Sequence, residues 1–217
     1  ETVTIIEIPA AKSAYLSEYY PDRSFPAGGK ELILFAGRYQ QDCDRYRALL
    51  QFDLEEQARI MAQPSAVKAA YLQIMACRNE VSSGLARMRL LRVLTQWDEN
   101  ETTWNCAPIV EEYADQEFFI PSVWLGLLHI DVTGLVQAWA EGSQPNYGLM
   151  LRGEERVNSL LAFPGSQFPN TRERPLLLIC ICEPHEAAEV SLPVLPGLLA
   201  KTLRKKEGIN FIKCTVV

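Results

Sequence analysis

The sequence predicts an all-β protein, an antiparallel β-sandwich with jelly-roll topology and one or two short helical connections. Short apolar runs are separated by Pro, Gly, Asn and acidic residues, which are typical of turns. Several of these runs alternate apolar and polar residues, as a strand does when one face meets the core and the other meets water. Helical periodicity is confined to two short stretches, so no helical layer is expected.

The strand pattern occurs along most of the chain, and the run at 46–54 illustrates it. Ala48, Leu50 and Phe52 fall on one face of that run, whereas Arg47 and Gln51 fall on the other. Such alternation indicates one core face and one wet face. The candidate strands are 3–8, 14–19, 31–37, 46–54, 67–77, 86–95, 123–132, 147–153, 159–163 and 175–182.

The clearest helical stretch covers residues 133–139. Thr133 is expected to cap its first turn, and Gly142 is expected to stop it. Leu135, Val136 and Trp139 fall on one face, which predicts that Trp139 is buried against an end of the sandwich. A second helical turn is expected at residues 55–60.

The chain of 217 residues is long enough for one domain plus an appendage. Residues 1–182 carry the strand pattern and are predicted to form the sandwich. At Glu183 the composition changes to a proline-containing linker, so residues 183–217 are predicted to be a C-terminal extension that contacts other domains or chains, as the start of another domain would. The chain begins with Glu and has no signal peptide of its own, which indicates a processed product or a fragment.

Charge and motif content exclude several classes of function. The 21 basic and 27 acidic residues give a net charge of −6, which argues against a nucleic-acid partner. No apolar run reaches the roughly 18 residues needed to enter a membrane. The sequence contains no G-x-S-x-G, P-loop or H-E-x-x-H motif, and its only histidines are His129 and His185. We therefore expect no enzymatic activity.

The cysteines and acidic residues offer few metal ligands. Cys180 and Cys182 should share one sheet face, and their spacing is poor for zinc. The simplest interpretation is that they are small apolar side chains, while a disulfide, a metal or a redox role stays open. Asp42 and Asp44 have a spacing compatible with calcium but fall far short of a full ligand set. Solvated loop acids are the simpler interpretation, and no other cofactor is expected.

Five phrases of the sequence occur in the same order as in a known family. Together they resemble the DNRLRE-type domain, which is related to disaggregatase-type repeats and to a carbohydrate-binding module family. The resemblance covers about residues 1–182. The phrases are R-A-L-L-Q-F-D-L at 47–54, W-D-E at 97–99 with T-T-W-N at 102–105 and Pro108, I-D-V-T at 130–133 with Leu135, Val136 and Trp139, N-Y-G-L at 146–149, and R-P-L at 174–176.

The resemblance implies a jelly-roll sandwich in a multidomain bacterial or archaeal protein that is secreted or displayed at the cell surface. Some members resemble polysaccharide-binding modules attached to enzymes that act on acidic polymers. The matched residues mainly build the sandwich, so they indicate the fold more than the ligand. Trp97 and Trp104 are expected to fix a loop against the sandwich. An exposed Trp serving as a sugar platform is the alternative.

Arginine is the residue type that suggests a ligand. Arg outnumbers Lys 14 to 7 in a chain of negative net charge. If Arg47 lies beside Arg87 and Arg89, the wet face carries a cationic strip, and guanidinium groups match carboxylates and sulfates as bidentate donors. Tyr39 could add a surface for stacking a sugar ring. Arg152 also lies in a candidate strand. The alternative is that these arginines form cross-strand ion pairs with Asp and Glu.

The sequence thus predicts a non-catalytic binding module of a larger surface or secreted protein that recognises an acidic polysaccharide. The predicted ligand-binding residues are Arg47, Arg87, Arg89 and Tyr39. The alternative is a structural spacer or protein-interaction module without a sugar ligand. The two differ in surface arrangement, because a sugar binder needs arginines and aromatic residues that converge on one face. A spacer should instead have its arginines paired and its tryptophans buried.

Overall fold

The structure is a computed structural model that describes residues 3–27, 32–57, 61, 66–111, 113 and 115–182. Strand pairings in this part of the chain are all antiparallel and form a curled, two-layered sheet, which confirms the predicted all-β sandwich. The predicted extension, residues 183–217, lies outside the described residues. Within those residues, no helix has both the length and the apolar character needed to cross a bilayer.

Twelve strands, one α-helix and one 3-10 turn make up the described fold. The helix α1 spans Thr133–Ala140 and the 3-10 turn spans Thr171–Glu173. The strands are β1 (Val3–Ser17), β2 (Phe25–Pro26), β3 (Ile33–Arg38), β4 (Arg45–Phe52), β5 (Val67–Ala76), β6 (Arg78–Asn79), β7 (Leu85–Arg92), β8 (Gln116–Pro121), β9 (Gly126–Asp131), β10 (Leu149–Gly153), β11 (Leu161–Pro164) and β12 (Leu176–Cys182).

The long strand β1 belongs to both layers. Its first half, up to Pro9, pairs with β12, and its second half, from Ala10, pairs with β4. The register shifts between Ala10 and Lys12, so the strand bends there and passes from one layer to the other. The prediction of two separate strands at 3–8 and 14–19 was therefore wrong. The chain stays extended past Pro9, and Ala10 N donates to Pro175 O at 3.0 Å.

The order of the strands decides which side chains become neighbours. One layer has the order β1, β12, β5 and β9, and the other has the order β2, β1, β4, β10, β7 and β8. Strand β3 pairs with both β4 and β11, and β11 pairs with β6, which curls the sheet between the layers. In the second layer β10 separates β4 from β7, a placement that matters for the site below.

The main core lies between the two layers and is closed at one end by α1. Phe52, Phe163 and Leu72 are among its fully buried side chains. Trp139 of α1 is 8% exposed, which confirms its predicted burial against the sandwich. The helix stops as predicted, because Gly142 takes a φ of +68° and its N–H donates to Trp139 O at 3.2 Å.

The helix start differs from the prediction. Thr133 does not cap α1 with its side chain. Its hydroxyl instead accepts a hydrogen bond from Ala70 N of β5 at 2.9 Å, while Asp131 Oδ1 accepts one from Thr133 N at 2.9 Å. These two bonds tie the helix to the sheet. Of the second expected helical turn, residues 55–57 form a turn and residues 58–60 lie outside the described part.

The strand β8 was missed by the sequence analysis, which placed no strand between residues 96 and 122. It is an edge strand that pairs with β7, and Ile120 is its buried residue. The sequence of β8, Q-E-F-F-I-P, does not alternate apolar and polar residues, and such alternation is the pattern that marks a half-buried strand. The strand predicted at 123–132 begins later, at Gly126, because Val123 lies in a turn with a φ of +58°.

A second apolar cluster lies on the outer face of the second layer, where the sequence predicted a wet surface. Leu16, Leu49, Leu91 and Met150 point outward from four strands and are fully buried. Trp97, which is 5% exposed, packs on them, and its Nε1 donates to Tyr147 O at 2.8 Å. The irregular segment 94–111 thus covers half of this face, which confirms that the tryptophan-containing loop packs on the sandwich.

Candidate functional site

Three arginines form a row on the uncovered half of the same outer face. Arg152 of β10 lies directly opposite Arg47 of β4 on one side and directly opposite Arg89 of β7 on the other. Directly opposed residues of antiparallel strands project to the same side of the sheet, about 5 Å apart. The row ends at Glu117 of β8, which is the partner of Arg89 in the register.

Two further arginines lie beside this row. Arg45 precedes Arg47 by two residues on β4, and Arg87 precedes Arg89 by two residues on β7, so both project to the same outer side. We call these five residues, Arg45, Arg47, Arg87, Arg89 and Arg152, the arginine face. The predicted residues Arg47, Arg87 and Arg89 are therefore on one face.

Arg152 and Arg45 are not among the site residues predicted from the sequence. Arg47 and Arg89 are not on adjacent strands, because β10 inserts between β4 and β7 and brings Arg152 with it. This strand order is a long-range property of the fold. The available signal for Arg152 was its outward position in the candidate strand 147–153, whereas Arg45 fell one residue before the candidate strand 46–54.

Glu155 organises the centre of the arginine face. Its carboxylate accepts hydrogen bonds from Arg47 Nε at 2.8 Å and Nη2 at 3.2 Å, and from Arg152 Nε at 3.0 Å and Nη2 at 2.8 Å. The Glu155 side chain is 9% exposed. Burial alone would raise the pKa of Glu155, but the hydrogen bonds from Arg47 and Arg152 outweigh burial and hold its pKa below the ordinary value.

Two other arginines of the face, Arg45 and Arg87, pair with acidic residues to different degrees. Arg45 forms a two-pronged ion pair with Glu18, and these hydrogen bonds lower the pKa of Glu18. Arg87 is 3.8 Å from Glu117 and 3.5 Å from Glu154, distances longer than a good hydrogen bond. The Arg87 side chain is 44% exposed, so it is the most open of the five.

Arg89 is the unbalanced charge of the face. Among the described residues no acidic group forms a salt bridge with it, although it lies between Arg87 and Arg152. Its pKa is lowered, first by burial and then by repulsion from Arg152 and Arg87. Glu155 and Glu117, the register partner of Arg89, offset this lowering only in part, and neither forms a salt bridge with Arg89.

Trp104 marks the border between the covered and the uncovered halves of the outer face. The Cζ atom of Arg47 lies 4.3 Å from the centroid of the Trp104 ring, and that of Arg45 lies 5.5 Å from it. At these distances the guanidinium groups make cation–π contacts. Trp104 is half-buried, so one ring face is used to orient arginines and is not a free sugar platform.

Tyr39, the fourth predicted binding residue, lies elsewhere. Its ring is 5.2 Å from the guanidinium of Arg78 on β6, a strand that pairs with β11 and not with β4, β7 or β10. Tyr39 directly follows Arg38, the register partner of Arg45, but among the described residues no cation–π contact joins its ring to an arginine of the arginine face. A role for Tyr39 in binding stays a prediction.

The two predicted calcium ligands differ in environment. Asp42 is 97% exposed and is 3.3 Å from Arg38. Asp44 is buried, and its side chain accepts a hydrogen bond from Tyr46; burial and that bond raise the pKa of Tyr46. The described residues contain no cluster of three or more His, Cys, Asp or Glu that could hold a metal ion. Calcium binding at Asp42 and Asp44 stays a prediction.

Comparison with known families gives one match. The family model of carbohydrate-binding module family 96 matches residues 4–179. This span begins in β1 and ends in β12, so it includes the strands of both layers and the whole arginine face. No curated protein matches the chain.

Proposed function

Because this chain belongs to carbohydrate-binding module family 96, we propose that it binds an acidic polysaccharide on the arginine face and does not chemically convert it. The observation that supports this proposal is Arg89, a partly buried cation between Arg87 and Arg152 without a salt-bridge partner among the described residues. A carboxylate of the polymer would supply the missing counter-charge. Guanidinium groups bind such groups in a bidentate manner.

The arrangement around Arg89 suits a polymer with repeated acidic groups. Arg87 and Arg89 are two residues apart on one strand, which separates them by about 7 Å, and Arg152 is about 5 Å away across the sheet. One chain can therefore meet several guanidinium groups at once. Arg87 contacts its own acids only loosely, so it can turn toward a ligand.

Glu155 and Trp104 prepare the face for binding. Arg47 and Arg152 are fixed by Glu155, and Arg47 is also held against the Trp104 ring. Arginines that are already ordered lose less conformational entropy when a ligand arrives. Five arginines and the four acids Glu18, Glu117, Glu154 and Glu155 leave a small positive balance, which predicts modest and salt-sensitive affinity.

Several finer points belong to the same proposal. The module acts by binding alone, since the sequence has no recognisable nucleophile–base pattern and His129 is hydrogen-bonded to Gln73 on the β5–β9 pair. It works as part of a secreted or surface-displayed protein, in keeping with its family. Kinship with DNRLRE-type domains and contacts through residues 183–217 stay predictions.

Calorimetry with alginate, pectate and a neutral glucan tests the proposal. Wild type should bind the two acidic polymers and not the glucan, and raising salt from about 50 mM to about 500 mM should weaken binding because exposed charges are screened. Arg89→Gln should weaken binding about tenfold. Arg172→Gln, which removes an exposed arginine from the 3-10 turn, is the matched control and should bind as wild type does.

Two results would contradict the proposal. Equal affinity for acidic and neutral polymers would show that charge does not select the ligand. Binding to none of the polymers would instead favour a spacer without a sugar ligand. That alternative is supported by the complete pairing of Arg45, Arg47 and Arg152 with acids and by the burial of Trp97 and Trp139.

A further inference from the structure

A separate cleft lies at the other end of β4 from the arginine row. It has a volume of about 430 Å³ and is bordered by β1, the end of β4, the turn that follows β4 and the end of α1. That volume is within the range of small-molecule sites in proteins. Among the described residues its polar lining consists of Lys12, Gln51, Asp53, Glu55 and Asn146, and Trp139 lies in its wall. Gln51 is four residues from Arg47, roughly 13 Å along the strand.

The cleft is built by hydrogen bonds that fix its walls. Asn146 Nδ2 donates to Phe52 O at 2.8 Å, and Gln51 Nε2 donates to Asn146 O at 3.0 Å. Asp53 Oδ1 accepts from Glu55 N at 3.0 Å, which holds the turn after β4. Lys12 Nζ donates to Trp97 O at 3.3 Å. The side chains of Lys12, Gln51, Asp53 and Asn146 are therefore oriented before a ligand arrives.

The groups left over in this cleft are mostly acceptors. After the bonds above, the carboxylates of Asp53 and Glu55 and the amide oxygen of Gln51 can still accept hydrogen bonds, whereas Lys12 and the second N–H of the Gln51 and Asn146 amides can still donate. The described lining residues carry two carboxylates and one ammonium group, so their charge balance is negative. It disfavours a carboxylate ligand and favours hydroxyl groups, which can donate to the acids and accept from Lys12.

The indole N–H of Trp139 gives a second argument that the cleft binds a polar ligand. It is 8% exposed, and among the described residues its Nε1 is buried without a hydrogen-bond partner. Buried indole N–H groups usually have an acceptor. Trp139 is a lining residue of the cleft, so we expect a shift of its ring to bring this N–H to an oxygen of a bound ligand.

From these contacts we infer that the cleft is a second carbohydrate-binding site, which takes one or two neutral sugar units through their hydroxyl groups. Asp53 and Glu55 accept hydrogen bonds from sugar hydroxyls, and Lys12 donates to one. The site does not depend on the arginine face. A module with both sites would hold a polymer of mixed composition more tightly than either site alone.

Nuclear magnetic resonance of the full chain tests this inference with cellobiose, xylobiose and mannobiose as probes. At least one disaccharide should shift the indole N–H resonance of Trp139, which is assigned by its loss in Trp139→Phe. Asp53→Asn keeps the turn-forming oxygen and removes the charge, and it should weaken disaccharide binding about tenfold. Glu101→Gln removes an exposed acid elsewhere and is the matched control, with affinity unchanged.

The arginine face supplies the control that separates the two proposals. Arg89→Gln should bind disaccharides as wild type does, whatever its effect on acidic polymers. The absence of any shift at Trp139 with all three disaccharides would overturn the inference, as would wild-type affinity in a folded Asp53→Asn. A Trp139 shift caused by a uronic-acid disaccharide, and lost in Lys12→Gln, would also overturn it, because the cleft would then select anions.

Discussion

Arg89 of β7 and Arg152 of β10 face each other directly across the sheet. Opposite charges at such a position would stabilise the sheet, but here the two charges are alike and repel each other. Arg152 is compensated by Glu155, whereas Arg89 has no salt-bridge partner among the described residues. The fold therefore keeps an unfavourable interaction on an otherwise well-paired surface. Such an arrangement supports the proposal that an anionic ligand completes the face.

The first prediction is that Arg89→Gln does not destabilise the protein. Removing a charge that is repelled by Arg87 and Arg152 should leave the free energy of unfolding unchanged or raise it by up to about 1 kcal/mol, since like charges directly opposed in a sheet are destabilising by such amounts. Urea unfolding at low salt measures the effect. A loss of more than about 1 kcal/mol would mean that Arg89 has a stabilising partner.

The second prediction concerns the pH dependence of stability at Glu155. Because the pKa of Glu155 is lower in the folded state than its ordinary value of 4.5, its ion pairs stabilise the fold above that value and lose this effect as pH falls through the folded-state pKa. Glu155→Gln should therefore cost roughly 2–3 kcal/mol near neutral pH. The difference from wild type should shrink below about pH 4.

Denaturant unfolding of both proteins near neutral pH and in acid checks this. Glu117→Gln is the control, since Glu117 is 43% exposed and lies 3.8 Å from Arg87; it should cost less than about 1 kcal/mol. A pH-independent loss in Glu155→Gln would show that Glu155 acts through packing and not through charge.

The third prediction uses two glycines to separate backbone strain from steric clash. Gly148 has a φ of +87°, and a Cβ there would lie 2.1 Å from Leu50 O; Gly84 has a φ of +69° and open space around it. Gly84→Ala should cost about 1–2 kcal/mol, the penalty of a left-handed alanine. Gly148→Ala should cost clearly more, because β10 must move away from β4.

Thermal unfolding of the two alanine variants compares them directly. Equal losses would show that the close approach of β10 to β4 is not rigid. The arginine face depends on the same approach, since β10 carries Arg152 into the row. Gly148→Ala should therefore also weaken binding to acidic polymers if it folds, whereas Gly84→Ala should not.

The sequence predicted the inner face of the sandwich better than its outer face. Ala48, Leu50 and Phe52 alternate with outward residues and do lie in the main core. The outer face was predicted to be wet, but Leu49 and Met150 are buried there under the segment 94–111. An irregular segment has no periodicity that would reveal where it packs. The sequence did contain one sign that the outer face is covered, because apolar residues recur at the outward-facing positions of several strands.

The motif phrases turn out to contain the hydrogen bonds that join distant parts of the fold. Asn146 links to β4 through Phe52 O, Thr133 links α1 to β5 through Ala70, and Trp97 links the covering segment to Tyr147 O. Each of these bonds is made by the side chain of a motif residue. The arginine row could be predicted only in part, because its continuity depends on β10 lying between β4 and β7.

The last prediction separates the packing of Trp139 from its indole N–H. Trp139→Ala should cost roughly 3–5 kcal/mol, because it empties the space where α1 closes the core. Trp139→Phe should cost only about 1–2 kcal/mol, since it keeps most of the buried ring and removes an N–H that has no partner among the described residues. Guanidinium unfolding of the unliganded protein measures both values. If the two variants lose the same stability, the indole N–H is bonded in the free protein, and the donor that the cleft offers to a sugar is already occupied.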